Sequence, residues 1–152
     1  MKSAEFSLHL NNFEDILQHE IIDIKNGSLF CDVTFVCDDY QQLEAHKMIM
    51  CACSPFLQNI LQDSWQQDHH TIYLTEVKIT HLEAVLHFMY HGEINVAMED
   101  LNSVQEVGKL MQVKGLTQNS THENDEFNQH QISVAKEEAY YDQVLVGELN
   151  IG

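Results

Sequence analysis

The first 116 residues consist of short apolar segments whose period alternates between that of a helix and that of a strand. This alternation constrains the fold more than any other feature of the sequence. Cap and turn residues separate the segments, and none of them is long enough to bury its apolar face alone. The order predicted is helix, hairpin, helix pair, strand, helix, short strand, helix. We therefore expect one α+β domain, a helical cluster flanked by a small sheet.

The first helix and the hairpin can be bounded from local signals. In "NNFEDILQHEIIDIKNG", Asn12 suits the N-cap and Gly27 the C-cap. Between them one helical face carries Phe13, Ile16, Leu17, Ile21 and Ile24. The next segment, "FCDVTFVC", alternates like a strand, and its predicted core face carries Cys31, Val33, Phe35 and Cys37. A turn at "DDYQQ" leads into a second short strand, "QQLEA", which completes the hairpin.

Later boundaries rest on capping residues. Ser54-Pro55 is a helix start, which predicts separate helices over 46–53 and 55–62. "TIYLTEV" is a third strand. Thr80 and Glu83 have the spacing of a capping box ahead of the stripe Leu82, Val85, Leu86 and Met89. After Gly92 we expect a short extended piece at "EINV", and then a last helix with Leu101, Val104, Gly108 and Met111 on one face.

Charge excludes one large class of function. The chain has 24 acidic residues against 7 basic ones, a net charge of −17, and every basic residue is lysine. Nucleic-acid phosphates require a basic surface, and arginine is the main reader of guanine. We therefore expect no direct contact with DNA or RNA by this segment. The apolar runs are too short for a membrane span, so we expect a soluble intracellular protein.

The composition changes after Leu116. Residues 117–131 are polar, as in a linker, and 117–152 carry seven acids against one lysine. We interpret 1–116 as the domain and 117–152 as an acidic, flexible and mostly disordered tail, with a transient helix or strand near Val144.

Candidate chemistry is sparse. "LEAHKMIMCACSPF" combines His46 with Cys51 and Cys53, but the sequence identifies no fourth ligand for a zinc site. His87 and His91 have the spacing of zincin ligands without the glutamate base. No glycine-rich loop accompanies the cysteines, which we interpret as small buried hydrophobes. We expect no catalytic residue, no metal and no cofactor.

Several spaced motifs agree with one known family. Asp32-Val33, Ala45-His46-Lys47, Ser54-Pro55-Phe56 and "FMYHGE" at 88–93 stand in the order and spacing of its signature. Over 5–116 the chain closely resembles a BTB (POZ) domain. "FSLHLNNFEDIL" is similar to the additional N-terminal segment of the insect tramtrack/bric-à-brac group. That group usually has Arg-Trp where this chain has His9 and Leu10.

The resemblance implies a homodimer. In such dimers the first helix packs against its partner's, an N-terminal strand (here 1–11) swaps across, and two charged positions meet near the centre. The residues implied are Phe6, Leu8, Leu10, Phe13, Leu17, Asp32, Lys47 and Ile49. A carboxylate near a packed sheet surface needs a cation, which gives an Asp32–Lys47 salt bridge a physical rationale, but only together with the resemblance is the salt bridge favoured. The alternatives are that both residues are ordinary surface residues and that the N-terminal segment folds back on its own domain.

The function implied is multimerisation of a nuclear DNA-binding transcription or chromatin regulator, with zinc fingers or another DNA-binding domain elsewhere in its chain. The partners implied are a second copy, other BTB proteins, and corepressors or coactivators. The alternative is a cullin-3 ubiquitin-ligase adaptor. Such adaptors add a helical pair after the domain, whereas 117–152 lack the caps and the apolar stripe of one.

Overall fold

The computed structural model describes residues 3–62 and 66–116 together with the backbone of 132–135. The helices are α1 (Phe13–Asn26), α2 (Lys47–Cys53), α3 (Pro55–Gln62), α4 (Ile79–His91) and α5 (Leu101–Leu110). The strands are β1 (Val33–Val36), β2 (Gln42–Ala45), β3 (His70–Leu74) and β4 (Ile132–Ala135). The α+β prediction is confirmed. Within the described ranges no helix has the length and apolarity to span a bilayer.

The sheet has the strand order β2-β1-β3-β4. β1 and β2 form the predicted antiparallel hairpin, and β3 returns parallel to β1 after the α2–α3 pair. β4 pairs antiparallel with the outer edge of β3. It lies in the segment that the sequence predicts as a flexible tail. The rest of that segment, including the transient element predicted near Val144, lies outside the described residues.

The core lies between the sheet and the helices. All four stripe residues predicted for α4 are buried, as are Val33 and Phe35 on the predicted core face of β1. The opposite face of β1 is buried as well, at Thr34 and Val36, so the prediction of one buried face was incomplete. β1 is an inner strand between β2 and β3, and the Thr34 hydroxyl lies 2.7 Å from Nε2 of His69. The His69 side chain therefore covers part of this second face at Thr34.

Helix boundaries follow the local signals in most places. α1 begins and ends where Asn12 and Gly27 predict, although Asn12 adopts a left-handed conformation (φ 60°) and its side chain caps nothing. Ser54 caps α3 as predicted, since its Oγ accepts the Leu57 N–H at 3.0 Å. Gly92 ends α4 with a φ of 80°, a conformation that favours glycine.

Two local predictions were wrong. α4 begins at Ile79 with Lys78 as its N-cap, so Thr80 already lies inside the first turn and forms no capping box with Glu83. The "EINV" segment, residues 93–96, forms no strand in this structure. Both signals are short, and the ends of helices and strands are the least certain part of a prediction from local sequence.

Candidate interaction surface

The apolar stripe of α1 is divided between two environments. Its C-terminal half packs on α4: Ile21 contacts the core, and the Lys25 ammonium lies 5.1 Å from the centroid of the Tyr90 ring. In its N-terminal half the Gln18 amide donates to the His91 carbonyl at 3.3 Å, but the apolar side chains there are exposed, and α1 has no buried residue at all. Phe13, Ile16 and Leu17 are 55%, 44% and 47% exposed. Half of an amphipathic helix therefore presents its apolar face to solvent.

The segment that precedes α1 is also exposed. Residues 3–10 form neither helix nor strand, and Phe6, Leu8 and Leu10 are 88%, 93% and 62% exposed. The alternative that this segment folds back on its own domain is therefore wrong for this structure. Alternating apolar residues on an extended segment are typical of a strand that is buried on one side. Among the residues that the structure describes, none buries that side.

We call these exposed residues the apolar surface; it comprises Phe6, Leu8, Leu10, Phe13, Ile16 and Leu17. Five of the six belong to the set that the sequence predicts for the interface. Ile16 was missed in that prediction, although it lies on the same helical stripe. Monomeric proteins rarely expose large contiguous apolar patches, and such patches mark interaction sites.

Asp32 and Lys47 do meet, but not as the predicted salt bridge. Oδ1 of Asp32 accepts the backbone N–H of Lys47 at 2.7 Å, at the start of α2. The Lys47 ammonium turns away and donates to the carbonyls of Gln67 (2.8 Å) and Asp68 (3.4 Å). The prediction of an ion pair is wrong within this protomer. Free N–H groups at a helix start satisfy a carboxylate without a cation.

Ile49, the last residue of the predicted interface set, is half-buried and packs against the protomer's own core. Its neighbour Met48 is 71% exposed. On this short helix the exposed apolar side chain is therefore Met48 rather than Ile49.

A hydrogen-bonded network fixes the position of α2 beside the end of α4. The Tyr90 hydroxyl accepts the His46 backbone N–H at 3.0 Å and lies 2.7 Å from His46 Nδ1. His46 Nε2 lies 2.6 Å from the Leu29 carbonyl, which only accepts, so Nε2 carries the proton. Nδ1 then accepts from the Tyr90 hydroxyl. His46 was considered above as a metal ligand. Both of its ring nitrogens are engaged in hydrogen bonds within the protein.

The thiols show no sign of activation. Burial is the main cause that raises the pKa of Cys31, Cys51 and Cys53. Burial, followed by the nearby Asp39 and Asp38, raises the pKa of Cys37 to about 11. A nucleophilic cysteine requires the opposite shift.

Histidine and carboxylate side chains do not converge on a metal-binding geometry in the described part of the chain, where no group of three or more such ligands occurs. The rings of His87 and His91 stack with centroids 3.8 Å apart, and His91 Nδ1 donates to the His87 carbonyl at 3.0 Å. Nδ1 of His91 is therefore engaged in a hydrogen bond within α4. Elsewhere in the described part of the chain, Nε2 of His81 lies within hydrogen-bond distance of Oδ1 of Asp100, at 3.2 Å.

Comparison with known proteins defines the class of this molecule. The BTB/POZ domain family model matches residues 22–128. By structure, the chain is similar to the BTB domain of zebrafish PATZ1, with a TM-score of 0.62 and 18% sequence identity over 74% of this chain and 91% of that one. BTB domains are protein–protein interaction modules. The chain belongs to the BTB/POZ family.

Similar sequences occur in Drosophila melanogaster BTB transcription factors. The chain is 33% identical to Protein bric-a-brac 1 over 75% of its own length and 35% identical to Protein tramtrack, alpha isoform, over 78%. These matches span only 12% and 14% of the two relatives. The Longitudinals lacking protein-like protein is 35% identical over 75% of this chain, and there the match spans 88% of the relative.

Proposed function

We propose that this BTB domain forms a homodimer or a larger homomultimer through the apolar surface, and that it thereby multimerises a nuclear DNA-binding transcription or chromatin regulator. One observation carries the proposal: six large apolar side chains of the N-terminal segment and α1 are exposed beside a well-packed core.

A second copy is the occupant that best fits this surface. Fully burying a Phe or Leu side chain stabilises an assembly by about 1.5–3 kcal/mol. A two-fold interface brings the same residues of both copies together, so Phe13 and Leu17 of one α1 would pack against the same stripe of the other. The extended N-terminal segment would place Phe6, Leu8 and Leu10 across the partner as an added strand.

In this assembly Asp32 and Lys47 act as supports of the interface. Asp32 holds the first N–H of α2, and Lys47 ties α2 to the loop after α3. Both residues and Ile49 thus fix the orientation of α2, which we place beside the partner. A meeting of the two charges at the centre of the dimer, which the family resemblance implies, stays a prediction.

The relatives support the nuclear part of the proposal, since they are BTB transcription factors. A net charge of −17 without arginine agrees with DNA contact by another part of the protein. Dimerisation would then act by raising the effective concentration of two linked DNA-binding units. Other BTB proteins and corepressors or coactivators are further partners of this proposed assembly.

Charge substitution on α1 tests the interface. Leu17→Glu and Phe13→Glu would each bury a carboxylate in the dimer, so we expect the dissociation constant to rise by at least about 100-fold, equivalent to about 2.7 kcal/mol. Met98→Glu, at another exposed apolar residue that lies ahead of α5, is the matched control and should leave association unchanged. Sedimentation velocity over a concentration series measures all three, with circular dichroism to verify folding. Folded Leu17→Glu and Phe13→Glu variants that associate like the parent would refute the proposed interface.

The cullin-3 adaptor alternative predicts a different partner. A pulldown of purified cullin-3 by the 152-residue chain distinguishes the two functions. Our proposal expects no stoichiometric complex, whereas stoichiometric binding would favour the adaptor. Cys₂His₂ repeats encoded in the same transcript would support the regulator.

A further inference from the structure

We propose that the outer edge of β3 is a binding site for an extended strand, and that residues 132–135 of the same chain are its resident occupant. The folded unit then extends beyond Leu116 to Ala135, and any other extended ligand for this edge must displace β4. The proposal does not depend on dimerisation through α1.

The direction of the backbone groups identifies the residues that carry the site. The His70 N–H donates to the Asp32 carbonyl at 3.0 Å, toward β1. N–H and C=O groups of successive residues point to opposite sides of a strand, so those of Ile72 also face β1. Thr71 and Tyr73 therefore direct theirs to the outer edge.

The register of β4 matches this direction. Thr71 lies opposite Ala135, and Tyr73 opposite Ser133. In an antiparallel ladder such pairs exchange both of their N–H···O bonds. The N–H groups of Ser133 and Ala135 thus point to β3, and that of Val134 points outward.

The two edges of the three-stranded β2-β1-β3 sheet differ in what protects them. β2 has the sequence "QLEA", with Gln42 and Glu44 exposed and charged or polar. β3 reads "HTIYL", without an acid, a lysine or a proline. An edge without such residues is a template for pairing with another chain. A strand that covers it in cis removes this hazard.

β4 is covalently connected to the domain, but its pairing with β3 contributes little free energy. Residues 117–131 connect it covalently to the domain, so its pairing with β3 is intramolecular and does not depend on the protein concentration. β4 has only four residues, and its ladder bonds contribute about 0.5–1.5 kcal/mol each. The segment "ISVA" is uncharged in sequence. A longer uncharged extended segment is therefore the class of ligand that would displace it.

Amide hydrogen exchange on the intact 152-residue chain tests the site. We expect slow exchange at Thr71 and Tyr73. Ser133→Pro removes a ladder donor and should accelerate both amides by about tenfold or more, while Ile72 and Leu74, which bond to β1, stay slow. Val134→Pro is the matched control: its amide points outward, so Thr71 and Tyr73 should remain slow.

Three results would overturn the proposal. The first is unprotected Thr71 and Tyr73 amides in the parent chain, and the second is equal acceleration by both proline variants. The third is protection at these amides that disappears on dilution, which would mean that β4 binds a second copy. The Leu17→Glu background separates this site from the proposed dimer, since protection should persist there.

Discussion

At the scale of single residues, backbone groups satisfy the side chains of Asp32 and Ser54. Asp32 accepts from the Lys47 N–H, and Ser54 Oγ donates to the Met111 carbonyl at 2.5 Å. The family resemblance associated Asp32 with Lys47, and the two residues are in contact here. It could not tell the ammonium from the backbone N–H, because that choice depends on where α2 begins relative to β1.

Two substitutions of Asp32 distinguish these interactions. Asp32→Asn keeps an oxygen that accepts the Lys47 N–H, whereas Asp32→Ala removes it. We expect Asp32→Ala to lower the free energy of unfolding by about 1 kcal/mol, within about 0.5–2 kcal/mol. Asp32→Asn should lower the free energy of unfolding by clearly less. Urea denaturation of both variants measures the difference. Equal losses would contradict the backbone cap and would favour a charge interaction.

At the scale of elements, the sequence predicted best what is encoded locally. Ser54-Pro55 and Gly92 set helix ends by their own conformations, and the α4 stripe located the core. The strand predicted at 93–96 was wrong, and β4 was not recognised, because pairing depends on a partner edge remote in sequence. The capping box at Thr80 was a local signal too, but the observed N-cap, Lys78, lies two residues earlier.

The Tyr90–His46–Leu29 network joins α4, the start of α2 and the turn after α1, and it predicts a pH dependence. Burial raises the pKa of Tyr90 from its ordinary value of 10 to about 12. The neutral phenol is thus the form that the fold favours. Its contribution to stability is complete below pH 10 and is lost as the pH rises from about 10 to 12.

Spectrophotometric titration of the phenolates tests this shift. The parent chain should show a tyrosine component that ionises near pH 12 or only on unfolding, and Tyr90→Phe should reduce that component by one residue. Tyr90→Phe should also be less stable near neutral pH, because the His46 N–H loses its acceptor. Titration curves that coincide for parent and variant would contradict the account.

At the scale of the whole molecule, the sequence predicted the α+β fold and the BTB family, and the comparisons confirm both. The sequence also predicted five of the six residues of the apolar surface. Two patterns can be recognised without a structure: the alternation at Phe6, Leu8 and Leu10, and the helical stripe of α1. The sequence pattern alone could not show that these side chains are exposed in a single protomer. Periodicity predicts which face of an element is buried, but it does not identify the surface that covers this face.

Sedimentation equilibrium of the intact chain tests the central claim most directly. A dimer should give twice the chain mass of 17.6 kDa at micromolar concentration, and a larger multimer a higher multiple. Association should persist or strengthen in salt above about 0.15 M, because screening weakens repulsion between copies of net charge −17 while apolar burial remains. A mass of 17.6 kDa at every concentration and salt would contradict self-association through the apolar surface.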